Sequence, residues 1–128
     1  MMRGRIALAA TVASVLAACG GDDPAAGRSP SCLEDPAGTS AIEVRGTDAF
    51  AFEPADVQAP VGDVTITLVN DGTLPHALVI NGTTLRLDAR KEGDTCTGIV
   101  TLPAGRHEFW CDVPGHRQAG MEGTLTIE

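Results

Sequence analysis

The chain has 128 residues, with 9 Lys+Arg against 17 Asp+Glu for a net charge of −8, and it holds only three Phe, one Trp and no Tyr. Its longest basic run is Arg90-Lys91, so it lacks the electrostatic footprint of a nucleic-acid binder. A core must come from Val, Ile, Leu and Ala, and a single small domain built that way is marginal in core size.

The first segment reads as a targeting signal. Arg3 and Arg5 precede a short apolar run, Ile6 to Ala18, that ends in small residues, the layout of a secretory signal and too short to span a membrane comfortably. Leu16-Ala17-Ala18-Cys19 resembles the lipobox of bacterial lipoproteins. The resemblance implies a signal peptide over residues 1–18, cleavage before Cys19 and a lipid on the Cys19 sulfur; ordinary cleavage with a free Cys19 is the alternative. Residues 20–31, Gly-Gly-Asp-Asp-Pro-Ala-Ala-Gly-Arg-Ser-Pro-Ser, show no apolar period and read as a flexible tether. Residues 19–40 are thus expected to be lipidated cysteine, tether and lead-in. The domain is expected on the extracytoplasmic side, anchored to a bacterial membrane. Removing the signal takes two of the 9 basic residues, leaving 7 against 17 acidic ones, a net of −10.

Four cysteines are present. With Cys19 assigned to lipid and Cys111 to the metal motif below, Cys32 and Cys96 remain. Disulfides persist in exported chains, so a Cys32–Cys96 bridge is predicted, contributing roughly 3–4 kcal/mol through loop-closure entropy. Two free thiols are the alternative. No Cys-x-x-Cys occurs, so the signature of a dithiol oxidoreductase is missing.

From about Ala41 to Glu128 the sequence period is two. Val64-Thr65-Ile66-Thr67-Leu68, Thr84-Leu85-Arg86-Leu87-Asp88 and Gly123-Thr124-Leu125-Thr126-Ile127-Glu128 alternate apolar and polar residues, the pattern of half-buried antiparallel strands. Further short strands are expected near 42–45, 49–52, 56–59, 77–81, 98–102 and 106–111. Only Asp88–Gly93 reads as able to hold a helical turn. Eight or nine strands in one domain over 41–128 predict an all-β sandwich or barrel.

The chemistry lies in residues 110–121, Trp-Cys-Asp-Val-Pro-Gly-His-Arg-Gln-Ala-Gly-Met, which place Cys111, His116 and Met121 at Cys-x4-His-x4-Met spacing. Strand alternation puts Phe109 and Cys111 on one face, with Glu108 and Trp110 on the other. Pro114-Gly115 and Gly120 allow the loop to bend before its next two ligands. His76 follows the turn-rich Asn70-Asp71-Gly72-Thr73-Leu74-Pro75 and opens the next strand. Two imidazoles, a thiolate and a soft thioether make a ligand set suited to copper in electron transfer. His107 lies four residues back along the strand and reads as a structural or surface histidine.

This ligand loop, with Val69-Asn70-Asp71-Gly72 leading to His76, resembles the cupredoxins, the plastocyanin/azurin family of blue copper proteins. Phe52-Glu53-Pro54 and Ala59-Pro60-Val61-Gly62-Asp63 also resemble the family's first half. The resemblance covers about residues 41–128. It implies an eight-stranded Greek-key β-sandwich holding one type 1 copper, with His76, Cys111 and His116 near-planar and Met121 axial. It further implies a monomeric one-electron carrier that meets redox proteins at the membrane, with His116 as electron exit and Trp110 as a second route. Ala77 stands where the family commonly has Asn, which removes a side-chain hydrogen bond between the ligand loops.

Other functions fit less well. A binuclear copper centre needs a second cysteine in the ligand loop, and coupling to a catalytic copper needs a histidine where Trp110 stands. No Ser/His/Asp triad or carboxylate pair suggests itself, so the expectation is a protein that is not an enzyme. A surface copper carrier using the same ligands remains the alternative. An adhesion module with a vestigial site fits poorly with four intact ligands.

Overall fold

The structure is a computed structural model and describes residues 32–33 and 41–128. The expected signal segment, Cys19 and the tether lie outside the described residues. Nine strands form two packed sheets: β1 (Ala41–Thr47), β2 (Ala51–Glu53), β3 (Asp56–Ala59), β4 (Gly62–Asn70), β5 (His76–Ile80), β6 (Arg86–Ala89), β7 (Thr95–Leu102), β8 (Gly105–Trp110) and β9 (Glu122–Ile127). The first sheet runs β2-β1-β4-β7 and the second β3-β9-β8-β5-β6. No helix occurs among the described residues. The all-β sandwich expected from the period-two pattern is what forms.

Two particulars differ from the sequence reading. The strands are not all antiparallel, because β1 pairs parallel with β4 and β3 parallel with β9. The chain crosses between sheets so often that strands distant in sequence become neighbours running the same way. The strand expected at 49–52 starts only at Ala51, since Asp48, Ala49 and Phe50 form a turn and Phe50 takes a φ of 56°. Likewise β6 begins at Arg86 rather than Thr84. Residues 91–94 close a turn through the Asp94 amide and the Lys91 carbonyl (3.0 Å), not a helical turn.

Alternation sets the core. Along β7, Cys96, Val100 and Leu102 point inward while Thr95, Ile99 and Thr101 face solvent. Val64, Ile66 and Leu68 of β4 meet Leu78, Ile80 and Leu125 of the opposite sheet in one buried cluster. Phe52 of β2 and Phe109 of β8 join the sheets edge-to-face, with ring centroids 5.3 Å apart, a geometry favoured by the ring quadrupoles. A side chain cannot be added at Gly123, where a Cβ would overlap the Phe109 ring and the Ala55 carbonyl.

Cys32 and Cys96 are bridged, with Cα atoms 4.8 Å apart and a sequence separation of 64. The Leu33 amide donates to the Thr97 carbonyl at 2.7 Å, so the residues beside Cys32 run along β7. Closing so long a loop restricts the unfolded chain. Replacing both cysteines by alanine is therefore expected to lower stability by about 3–4 kcal/mol, read from urea unfolding with and without the bridge.

Candidate metal centre

The second sheet and the loop after β8 bring the donors together. His76 is the first residue of β5, at the end of the sandwich where β4 finishes and residues 71–75 turn back. Cys111 lies one residue beyond β8, in line with the buried Phe109. Residues 111–121 are folded by their own backbone. The His116 amide donates to the Val113 carbonyl (3.0 Å), the Met121 amide to the His116 carbonyl (3.1 Å), and the Cys111 amide to the Met121 carbonyl (3.0 Å). The last bond ties the two ends of the loop together. Gly115 and Gly120 supply its turns with φ of 87° and 110°, which side chains with a Cβ rarely adopt.

One ligand atom from each of His76, Cys111 and His116 lies within 4.8 Å of the others. The Cys111 sulfur is 3.5 Å from His116 Nδ1, and the two imidazole centroids are 5.4 Å apart. Met121 is fully buried beside them. A Cβ placed on Gly46 would sit 3.1 Å from both the His76 ring and the Met121 Cε methyl, so both side chains flank one point and Gly46 lets β1 approach it. All four expected ligands therefore meet at one end of the sandwich. His107 does not join them; its Nε2 pairs with the Pro103 carbonyl at 2.7 Å.

The donors suit a metal. His76 Nδ1 is buried with no hydrogen-bond partner, which is costly unless something else satisfies it. Its other nitrogen, Nε2, faces the Asp48 carboxylate at 3.2 Å. Burial pushes the Cys111 thiol up, while the Ala77 and Val113 amides pull it down. Burial, reinforced by His76 and opposed by Asp48, lowers His116 and so favours its neutral imidazole. A thiol, two imidazoles and a thioether in a buried pocket form a soft, borderline donor set that fits one copper ion.

Around the donors is a polar layer that sequence reasoning did not resolve. Asn70, 1% exposed, donates from Nδ2 to the Leu74 carbonyl (2.8 Å) and the Ala89 carbonyl (3.0 Å), and accepts from the Gly72 amide (2.9 Å). It locks the loop before His76 to β6. Its place in a turn motif was visible; its buried bonds were not. The Ala77 amide donates to the Cys111 sulfur at 3.4 Å, so this link between the ligand segments needs no asparagine side chain. Asp112 is gripped at two points by Arg86 of β6, at 2.8 and 3.0 Å. Trp110, expected to point outward, is half-buried under the Arg117 guanidinium, 4.1 Å from its ring centroid.

The turn between β1 and β2 reaches both histidines. Asp48 faces His76, and the Phe50 ring meets the His116 ring edge-on at 4.9 Å. No sequence motif marks either residue. The Thr73 and Leu74 amides hold the Asp48 carboxyl well below the usual carboxylate range.

Asn70→Ala would strand the Ala89 and Leu74 carbonyls, and urea unfolding is expected to show a loss of roughly 2 kcal/mol. Copper must displace the proton that burial keeps on Cys111. Affinity should therefore fall as pH falls, by about tenfold per pH unit for the one proton released, as read by competition with a Cu(I) chelator across pH.

Comparison with known proteins agrees with the geometry. The family model for copper binding proteins of the plastocyanin/azurin family matches residues 39–128. A plastocyanin from Nostoc punctiforme is 33% identical over 100 residues, covering 65% of this chain and 70% of the relative. One from Prochlorothrix hollandica is 31% identical over 104 residues, covering 73% and 77%. Among solved structures, dithionite-reduced auracyanin from Roseiflexus castenholzii superposes with a TM-score of 0.63 at 22% identity, covering 71% of this chain and 99% of that one. Auracyanin B gives 0.62 at 22% identity, covering 77% and 95%; these two likenesses speak to the fold. The chain belongs to the plastocyanin/azurin family of copper-binding proteins, and His76, Cys111, His116 and Met121 fit its single type 1 copper.

Proposed function

We propose that this protein is a one-electron carrier outside the cytoplasm, held at a membrane by a lipid on Cys19 and serving redox proteins there as a monomer. The observation that carries the reading is the burial of the ligand set. His76, Cys111 and Met121 are fully buried, and only His116 keeps some exposure, at 8%. Bound there, copper supplies a Cu(II)/Cu(I) couple whose potential the axial ligand and apolar surroundings tune.

The chain's own residues do the rest. The two sheets and the backbone-bonded 111–121 loop hold the donors close together, an arrangement that limits rearrangement between oxidation states. The Ala77 amide bonds to the Cys111 sulfur and withdraws charge from the thiolate. His116, between the exposed Gly115 and Arg117, is the shortest covalent route from the site to the surface. Trp110, adjoining Cys111 and half-exposed beneath Arg117, is the second route. Arg117 also meets Glu122 at 3.5 Å and Glu108 at 4.0 Å, so that route ends in a charged surface. A plastocyanin relative on each of two matches supports a carrier rather than an enzyme.

Burial also weighs against a metal-handover role, because a receiving protein would have to open the 111–121 loop to reach three of the ligands. One equivalent of Cu(II) is expected to give an intense thiolate-to-copper absorption that reductant bleaches and oxidant restores, with fast electron self-exchange. Cys111→Ser should abolish that absorption. Slow self-exchange with rapid loss of the metal to a chelator would instead identify a copper-transfer protein.

A further inference from the structure

We infer that Asp48 is a positioning residue of the copper site, selecting the tautomer of His76 that leaves Nδ1 free for the metal. The inference rests on the copper reading above and deepens it. Asp48 lies outside the ligand set, in the turn between β1 and β2, 28 residues before His76. Its two oxygens take four donors. Oδ2 accepts from the Thr73 amide and the Thr73 hydroxyl, each at 2.8 Å. Oδ1 accepts from the Leu74 amide at 3.0 Å and faces His76 Nε2 at 3.2 Å.

Acceptor chemistry makes the choice. A neutral imidazole carries one N–H, and an ionised carboxylate can only accept. Opposite Asp48, the proton of His76 must therefore sit on Nε2. Nδ1 is then a bare lone pair, and it is this nitrogen that is buried without a partner beside Cys111 and His116. The observations are independent: one concerns the ring edge that faces Asp48, the other the edge that faces Cys111 and His116. Water could replace the carboxylate as an acceptor, but water also donates, so it selects neither tautomer. The bonds to Thr73 and Leu74 hold the carboxylate in place and fix the loop that delivers His76.

Gly72 is part of the same device. A Cβ there would overlap the Asp48 carboxyl group, so the position must be bare for the carboxylate to reach its donors. A carboxylate on the far side of a ligand imidazole also strengthens the imidazole as a donor. That favours Cu(II) over Cu(I) and lowers the potential.

The test uses the whole chain and two variants, with Asp63→Asn as the charge control. Asp63 lies at the other end of β4 and accepts only from the Thr101 hydroxyl among its described side-chain bonds. In the copper-free parent, above the imidazole titration range, nitrogen NMR is expected to show His76 protonated on Nε2 alone. Asp48→Ala should populate the Nδ1–H form and weaken copper binding by about 10–100-fold. Asp48→Asn keeps the shape and loses the charge, so it remains informative if the alanine variant fails to fold. It should raise the potential above that of Asp63→Asn. The inference is overturned if Asp48→Ala leaves His76 on the Nε2–H tautomer alone, or if Asp48→Asn and Asp63→Asn have the same potential. The nitrogen spectra need no metal, so they decide the role of Asp48 even if the parent chain failed to bind copper, a result that would count against the function proposed above.

Discussion

The whole structure answers to one constraint: a thiol and two imidazoles must share a buried pocket with their donor atoms within 4.8 Å, and one of those atoms has no protein partner among the described residues. Desolvated polar groups left in that state oppose folding. Among the described residues no side chain or backbone group partners His76 Nδ1. The offset comes from elsewhere, from the apolar layer between the sheets, the Phe52–Phe109 contact and the Cys32–Cys96 bridge. A domain with few aromatic residues therefore places its rigidity at the end where the four donors meet. Metal and fold are coupled, since binding satisfies groups that the fold leaves open.

Rigidity at that end is built in layers. The 111–121 loop closes on itself through backbone bonds, and the Cys111 amide to Met121 carbonyl bond joins its ends. Asn70 ties the His76 loop to β6, and Arg86 of the same strand grips Asp112 beside Cys111. Both ligand segments are thereby referred to one strand that carries no ligand. The β1–β2 turn adds a second brace, with Asp48 on one histidine and Phe50 on the other. Phe50 holds a backbone conformation unfavourable for a residue with a Cβ, of the kind that persists only where surrounding structure over-determines it.

The ligands were legible because their information is local. Thiolate, imidazole and thioether within eleven residues is a chemical statement that needs no fold to read, and His76 gained meaning only beside it. Strands were legible wherever one face is buried, as in β4, β7 and β9, because alternation records the face. Within the strand expected at 49–52, Ala49 and Phe50 belong to a turn; both are apolar, and apolar residues in a short run do not reveal a positive φ. The parallel pairings and the roles of Asp48 and Asn70 were illegible for another reason. They depend on which distant segments become neighbours, and a polar residue exposed in sequence terms carries no mark of the bond it will make 28 residues away.

Coordination itself is the most direct test of the central claim that the fold, before and after reduction, holds one copper on His76, Cys111, His116 and Met121. X-ray absorption at the copper edge of the loaded protein should show one short copper–sulfur bond and two copper–nitrogen bonds in the oxidised form. The same set, nearly unmoved, should appear in the reduced form. A shell of nitrogen and oxygen without the short sulfur, or a ligand exchanged on reduction, would contradict it.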